Sequence, residues 1–258
     1  MVTHTQSLTP DCQGCSHQLD LGFDFSMAFQ PIVDVQTRQI FAYEALVRGI
    51  ANEPASSILT QINEENRYRF DQACRVKAIQ LAAQLGMDTY LSINFLPNAV
   101  YQAETCIRTT IKASQEYGFP ANRIIFEVTE GEKVSDREHL NRIFSAYKKL
   151  GFKTAIDDFG AGYSGLNLLA EFQPDIIKLD MAIIRNIDED QVRRAIVLGI
   201  MHVCREIACD VIAEGVESQA ELQTLRAMGI HLFQGFYFAK PAFESLVTVP
   251  PHLLELEA

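Results

Sequence analysis

From about residue 23 onwards the chain alternates short apolar runs with longer stretches whose apolar positions recur at helical spacing. The short runs are Met27–Ile32, Ile40–Val47, Tyr90–Asn94, Ile124–Val128, Thr154–Asp157, Ile176–Leu179, Val211–Ala213 and His231–Phe233. Their near-continuous apolar character predicts strands covered on both faces. Between them, Cys74, Ala78, Leu81, Ala82 and Leu85 form one stripe of period 3.6, and Leu140, Ile143, Phe144, Tyr147 and Leu150 form another; each predicts an amphipathic helix. Ser135-x-x-Glu138 and Ser218-x-x-Glu221 read as capping boxes at helix starts, and Gly151 and Gly229 as helix stops.

Strand–helix alternation sustained this long predicts a largely parallel sheet. About eight strands suit a closed barrel better than an open doubly wound sheet. A dinucleotide-cofactor fold is set aside for want of a Gly-x-Gly-x-x-Gly turn after a strand. Only Asp34–Gln39 separates the first two strand-like runs. That is too short for a helical crossover, so the two runs should pair antiparallel and make the barrel irregular at its start.

A hydrophobic content of 48% in 258 residues supports a sizeable core. The net charge of −11 argues against binding polymeric nucleic acid, which needs many Lys and Arg to neutralise phosphates. A small anionic ligand remains compatible if divalent cations screen the acids around it. No apolar run approaches the ~18–20 residues of a membrane span, and residues 1–22 form a polar lead without a signal-like core. A cytoplasmic protein is expected, with its six cysteines as reduced thiols. Cys12-x-x-Cys15-x-His17 lacks the partner pair of a closed zinc site and reads as part of a polar tail. His202 and His231 lie among apolar residues and are expected to be packed or capped, and Lys148-Lys149 to be a solvated helix end.

Position is more informative than composition. Glu44, Asn94, Glu127, Glu130, Asp157, Asp158, Lys178, Glu214, Glu217 and Gln234 all fall within or just past strand-like runs. In a barrel of this type the C-terminal strand ends converge on one face, which carries catalysis. Any one such acid reads simply as a helix cap. Many on one face make a hard-oxygen environment suited to Mg2+ or Mn2+. Two metals bridged by a carboxylate, with a lysine near the attacking water, point to metal-assisted hydrolysis of a phosphate ester. The residues alone do not name the ester.

The motifs also carry a resemblance. Phe29-Gln30-Pro31-Ile32 precedes Glu44-Ala45-Leu46-Val47-Arg48. Then come Asn94 in Leu-Ser-Ile-Asn, Glu127-Val-Thr-Glu130, and Asp157-Asp158-Phe159-Gly160-Ala161-Gly162-Tyr163-Ser164. Lys178-Leu179-Asp180, Ala213-Glu214-Gly215-Val216-Glu217 and Gln234-Gly235-Phe236-Tyr237-Phe238-Ala239-Lys240-Pro241 complete the set. In this order and spacing, residues 23–246 resemble the EAL-domain family. The flanking text at 70–75 and 172–175 is similar to EAL domains attached to BLUF domains, although no BLUF domain is expected here.

The resemblance implies an α/β fold, a modified TIM (β/α)8 barrel, with residues 247–258 as a tail. It implies hydrolysis of cyclic di-GMP to linear pGpG with two Mg2+ or Mn2+ ions; Ca2+, with its looser coordination, should inhibit. Glu44, Asn94, Glu127 and Asp157 match the ligands of one metal, and Asp157, Asp158 and Glu214 or Glu217 those of the second. Lys178, Glu214, Asp157 and Asp158 match the catalytic positions; Gln30, Leu46, Arg48 and Gln234 match substrate-contacting ones; Glu130 matches an anchor for the loop after Asp158. A homodimer through elements near that loop is implied as well. Ala161 and Gly165 depart from the commoner Thr and Ser of the loop. The rival is a silent EAL domain that binds cyclic di-GMP or a protein. Silent members usually lack metal positions or the Asp-Asp pair, and this chain retains both.

Overall fold

The computed structural model describes residues 21–97, 103–129, 137–162 and 165–254. Strands β1 (Ser26–Asp34), β2 (Gln39–Arg48), β3 (Tyr90–Asn94), β4 (Ile124–Thr129), β5 (Lys153–Phe159), β6 (Ile176–Leu179), β7 (Asp210–Ala213) and β8 (Leu232–Phe233) follow one another around a closed barrel. β2 to β8 are parallel, and β1 closes the ring antiparallel to both β2 and β8. The short link after β1 therefore does what its length dictates. A ninth strand, β9 (Ala242–Phe243), adds to β1 through Ala28 and Phe29.

Helices α1 (Ala55–Leu59), α2 (Arg67–Gln84), α3 (Ala103–Tyr117), α4 (Arg137–Lys149), α5 (Gly165–Glu171), α6 (Met181–Ile184), α7 (Gln191–Glu206), α8 (Gln219–Ala227) and α9 (Pro251–Leu254) are the α-helices of the described residues. Among the described residues no helix is long and apolar enough to cross a membrane.

One ground for rejecting a dinucleotide site needs correction. Gly160, Gly162 and Gly165 have the Gly-x-Gly-x-x-Gly spacing directly after β5, and α5 opens at Gly165. What argues against such a site is topology: the ring is closed, so it lacks the switch-point crevice where open α/β sheets bind dinucleotides.

The barrel interior has two levels. Ile32, Ala42, Ile125, Ala155, Ile176, Ile212 and Leu232 form an apolar plug separate from the main core. Side chains on a strand alternate faces, so the next inward residue lies two positions on. On the parallel strands those residues are Glu44, Glu127, Asp157, Lys178, Glu214 and Gln234, all toward the C-terminal strand ends. β1 runs the other way, and there Gln30 precedes Ile32. The period of two thus stacks a polar level on an apolar floor. The outward faces, including Phe126, Ile156, Ile177 and Val211, pack with the helices into the main core.

The helices depart from the expected stripes in places. On α4, Leu140, Ile143, Phe144 and Tyr147 are buried, but Leu150, past the helix end, is 44% exposed. On α2 the fully buried face runs through Asp71, Arg75, Ala78 and Ala82, whereas Cys74, Leu81 and Leu85 are only half-buried. His202 is exposed on α7, not packed, and His231 Nδ1 lies 3.2 Å from Asp34 Oδ1. Lys148 is anchored: its Nζ donates to Gln173 O at 2.7 Å. The Ser218 capping box forms, with Glu221 N donating to Ser218 Oγ at 3.1 Å and Ser218 N to Glu221 Oε2 at 3.2 Å. Beyond residue 246, Val249 and Leu254 are buried and Tyr43 Oη donates to Val247 O at 2.8 Å. Cys12, Cys15, His17, Glu130 and Ser135 lie outside the described residues.

Candidate active site

The polar level converges on one ammonium. Lys178 Nζ is 2.7 Å from Glu214 Oε1, 3.0 Å from Glu127 Oε2, 3.0 Å from Asp157 Oδ1 and 3.4 Å from Glu44 Oε2. The lysine is 1% exposed. Burial alone would favour its neutral form, but four carboxylates outweigh that and hold its pKa well above the ordinary lysine value.

Around this centre the orientations are tied down. Asn94 Nδ2 donates to Glu44 Oε1 at 2.9 Å, and Gln234 Nε2 donates to Glu44 Oε2 at 2.8 Å and to Gln30 Oε1 at 3.2 Å. Gln30 Nε2 in turn donates to Ala239 O at 3.1 Å. Ser92 Oγ donates to Glu127 Oε1.

Two adjacent strand residues normally point to opposite faces. Asp157 and Asp158 escape this rule because β5 breaks register between Ile156 and Phe159, and Asp158 adopts a left-handed φ of +55°. That conformation costs a non-glycine residue roughly 1–2 kcal/mol. It places Asp157, Asp158 and Glu214 in one group, while Glu44, Glu127 and Asp157 form another. In each group the ligand oxygens lie within 4.8 Å of one another, and Asp157 belongs to both.

Past their ends, the chains leaving β7 and β8 come into close contact. Val216 N donates to Gln234 O at 3.1 Å. A Cβ on Gly235 would lie 2.1 Å from Val216 O, so this approach requires glycine.

The crowding of acids shows in their titration. Burial, then repulsion from Glu44 and Asp157, pushes Glu127 up to about 8 despite Lys178. Burial and the neighbouring Asp157 raise Asp158 to about 6. Burial also lifts Glu214 well above the usual carboxylate range. Asp157 Oδ1 is a buried oxygen with a charge contact to Lys178 but no hydrogen-bond donor. A hard divalent cation suits this arrangement: the donors are all oxygens, they share one bridging carboxylate, and one buried acceptor is unsatisfied.

The expected site residues separate here. Glu44, Asn94, Glu127, Asp157, Asp158, Lys178, Glu214, Gln30 and Gln234 come together. Glu217 does not join either carboxylate group; its Oε2 pairs with Arg185 Nη1 at 2.9 Å. Arg48 Nη1 donates to Val47 O at 2.7 Å. With Leu46, Asn94 and Thr129 it lines an adjoining cavity of about 290 Å3.

Three supporting residues escaped the sequence reading. Ser92, two before Asn94, was findable from the strand period. Asp71 and Arg75 form a fully buried pair at 2.7 Å, with Arg75 Nη1 donating to Tyr147 Oη at 2.9 Å and its guanidinium 5.0 Å from the Phe126 ring centroid. Asp71 Oδ1 accepts Leu96 N at 2.9 Å, which fixes the chain just after Asn94.

The EAL domain family profile matches residues 16–241. The chain is 32% identical over 223 residues to the blue light- and temperature-regulated antirepressor BluF of Escherichia coli K12, covering 86% of this chain and 55% of BluF. It is 32% identical over 163 residues to the cyclic di-GMP phosphodiesterase PdeB of Shewanella oneidensis, covering 63% of this chain and 19% of PdeB. It thus spans little more than half of one curated relative and about a fifth of the other. Among solved structures, a standalone versatile EAL protein from Vibrio cholerae O395, in its c-di-GMP-bound form, matches with a TM-score of 0.89 at 58% identity, covering 92% of this chain and 100% of that one. Klebsiella pneumoniae BlrP1 in a manganese/cyclic di-GMP complex matches with a TM-score of 0.82 at 36% identity, covering 88% of this chain and 58% of that one. Its calcium/cyclic di-GMP complex gives 0.83 at 34% identity, with 91% and 60% covered.

Proposed function

The chain belongs to the EAL domain family, and from that membership we propose that it hydrolyses cyclic di-GMP to linear pGpG using two Mg2+ or Mn2+ ions. The observation that carries this reading is the pair of carboxylate groups sharing Asp157 around the Lys178 ammonium. Relatives and neighbours named for cyclic di-GMP support the choice of ester.

Glu44, Asn94, Glu127 and Asp157 would hold one cation, and Asp157, Asp158 and Glu214 the other. The cations would supply Lewis acidity, drawing charge from the phosphodiester and the attacking water. Lys178 donates hydrogen bonds to that water and stabilises charge that develops in the transition state. Glu214, 2.7 Å from Lys178 Nζ, would accept and return the water's proton. Arg48 presents a planar fork to a phosphate oxygen, with Leu46 beside it. Gln30 and Gln234 set the position of Glu44 and face the substrate.

Chromatography of cyclic di-GMP after incubation with the chain tests this directly. Conversion to pGpG with Mg2+ or Mn2+, blocked by a chelator, is expected. The name of BluF, an antirepressor, favours a second reading in which the domain only binds. Tight binding of cyclic di-GMP without turnover under any metal would establish that reading instead. The proposal carries with it a catalytic domain at 23–246, a cytoplasmic location and a homodimer, the last two open to cell fractionation and sedimentation analysis.

A further inference from the structure

The connection from α7 to β7 contains two cysteines with no part in the reaction above. α7 ends in a complete Schellman turn: Cys209 N donates to Cys204 O at 2.9 Å and Ala208 N to Arg205 O at 3.3 Å. Ala208 takes the left-handed position, with φ +55°. In this turn the residues at the two ends bring their side chains together, ordinarily as an apolar contact. Here both ends are thiols, and both are free.

The Cys209 thiol donates to Asp210 O at 3.6 Å. The neighbouring Cys209 thiol lowers the Cys204 pKa, whereas Cys204, burial and the charges of Asp210 and Asp175 push Cys209 up. The two thiols are thereby unequal, with Cys204 the better nucleophile of the pair. A disulfide needs Cα atoms roughly 4.4–6.8 Å apart, and a backbone hydrogen bond linking the two residues keeps them close. Cys204 is 1% and Cys209 7% exposed, but Ala208 and Asp210 in the turn over them are exposed. Only a small reagent or slight fraying of the helix end is needed to reach the sulfurs.

We propose that Cys204 and Cys209 form a reversible redox modification site, oxidised to an intrachain disulfide by a two-electron oxidant of the peroxide class. The Cys204 sulfur attacks one oxygen of hydrogen peroxide; an S–O bond forms, the O–O bond breaks, and the released hydroxide leaves as water with the thiol proton. The Cys209 sulfur then attacks the Cys204 sulfur. The S–S bond forms, the S–O bond breaks, and the hydroxyl leaves as a second water with the Cys209 proton. In sum, two thiols lose two electrons and one peroxide becomes two waters.

The test uses the full chain carrying Cys12→Ser and Cys15→Ser and has no activity readout; Cys74 and Cys106, the other two thiols, fall in tryptic peptides of their own and are read separately. The reduced protein is exposed to one equivalent of hydrogen peroxide, alkylated, digested with trypsin and analysed by mass spectrometry. Trypsin cuts after Arg205, so a Cys204–Cys209 disulfide joins two peptides that separate on reduction. That reducible cross-link is expected. Adding Cys209→Ser should abolish it and leave a sulfenic acid at Cys204 that dimedone captures. Equal alkylation of both thiols with and without peroxide, or irreversible oxidation to sulfinic acid with no cross-link, would show that the pair merely fills the turn.

Discussion

Titrating the chain with Mn2+ at several pH values tests the acid cluster through protons alone. With a pKa pushed up to about 8, Glu127 is about 90% protonated at pH 7, while Asp158, at about 6, is about 10% protonated. A cation bound by these oxygens needs them ionised. Metal uptake at pH 7 should therefore release roughly one proton from these two groups, and Glu214, raised by burial, adds to the release. The two numbered groups predict an apparent affinity that rises on the order of 100-fold from pH 6 to pH 8 and levels off above it. The same shift acts on folding. Between 4.5 and about 8 the folded chain keeps a proton on Glu127 that the unfolded chain has lost, so stability without metal falls as pH rises through that window. A shift of that size corresponds to at most on the order of 5 kcal/mol. Calorimetry at pH 7 in two buffers of different ionisation enthalpy counts the protons. Ser92→Ala, which removes a hydrogen bond favouring ionised Glu127, should move the affinity curve to higher pH. Zero proton release at pH 7, with affinity independent of pH, would refute the reasoning.

Glu44→Ala and Asp157→Ala should each lower hydrolysis by more than ~100-fold while circular dichroism stays unchanged, because each removes a metal ligand and relieves repulsion; wild-type turnover by Asp157→Ala contradicts the two-cation assignment. Lys178→Ala should cut kcat by roughly 100-fold or more with little change in KM, since the ammonium acts on the attacking water, whereas Arg48→Ala should mainly raise KM; steady-state kinetics at saturating Mg2+ separates them. Ca2+ should occupy the site and inhibit, because its larger radius loosens the geometry of in-line attack; full turnover with Ca2+ alone counts against tight two-metal geometry. Arg75→Met leaves Asp71 buried without its partner and should cost about 3–5 kcal/mol in urea denaturation, a loss that an Asp71→Asn, Arg75→Met double variant partly recovers.

The barrel was legible because the strands are short apolar runs with a polar residue within them or just past their ends. Tyr90–Asn94 and Ile176–Leu179 appear with the bounds the sequence predicts. The antiparallel start followed from the length of one link. What escaped depends on contacts between distant segments. Asp71 and Arg75 sit on the inner face of α2 because each neutralises the other; their i, i+4 spacing was a signal, but in a helix that also carries Arg67, Arg69 and Lys77 nothing local says that this pair points inward. The left-handed Asp158 is set by the break in register with β6, which the order Asp-Asp does not encode. Glu217 looks equivalent to Glu214 in sequence, yet only the fold brings Arg185 to it. His202, flanked by apolar residues, faces outward because its neighbours Met201 and Cys204 take the buried positions of α7.

The central claim is that this site makes water attack a phosphodiester of cyclic di-GMP. Hydrolysis in water enriched in oxygen-18, with Mn2+ present and the product resolved by mass spectrometry, reads that event itself. The account predicts linear pGpG carrying one labelled oxygen in its terminal phosphate, and no such product from Glu44→Ala. Cyclic di-GMP recovered intact after binding, or a product without solvent oxygen, would contradict it.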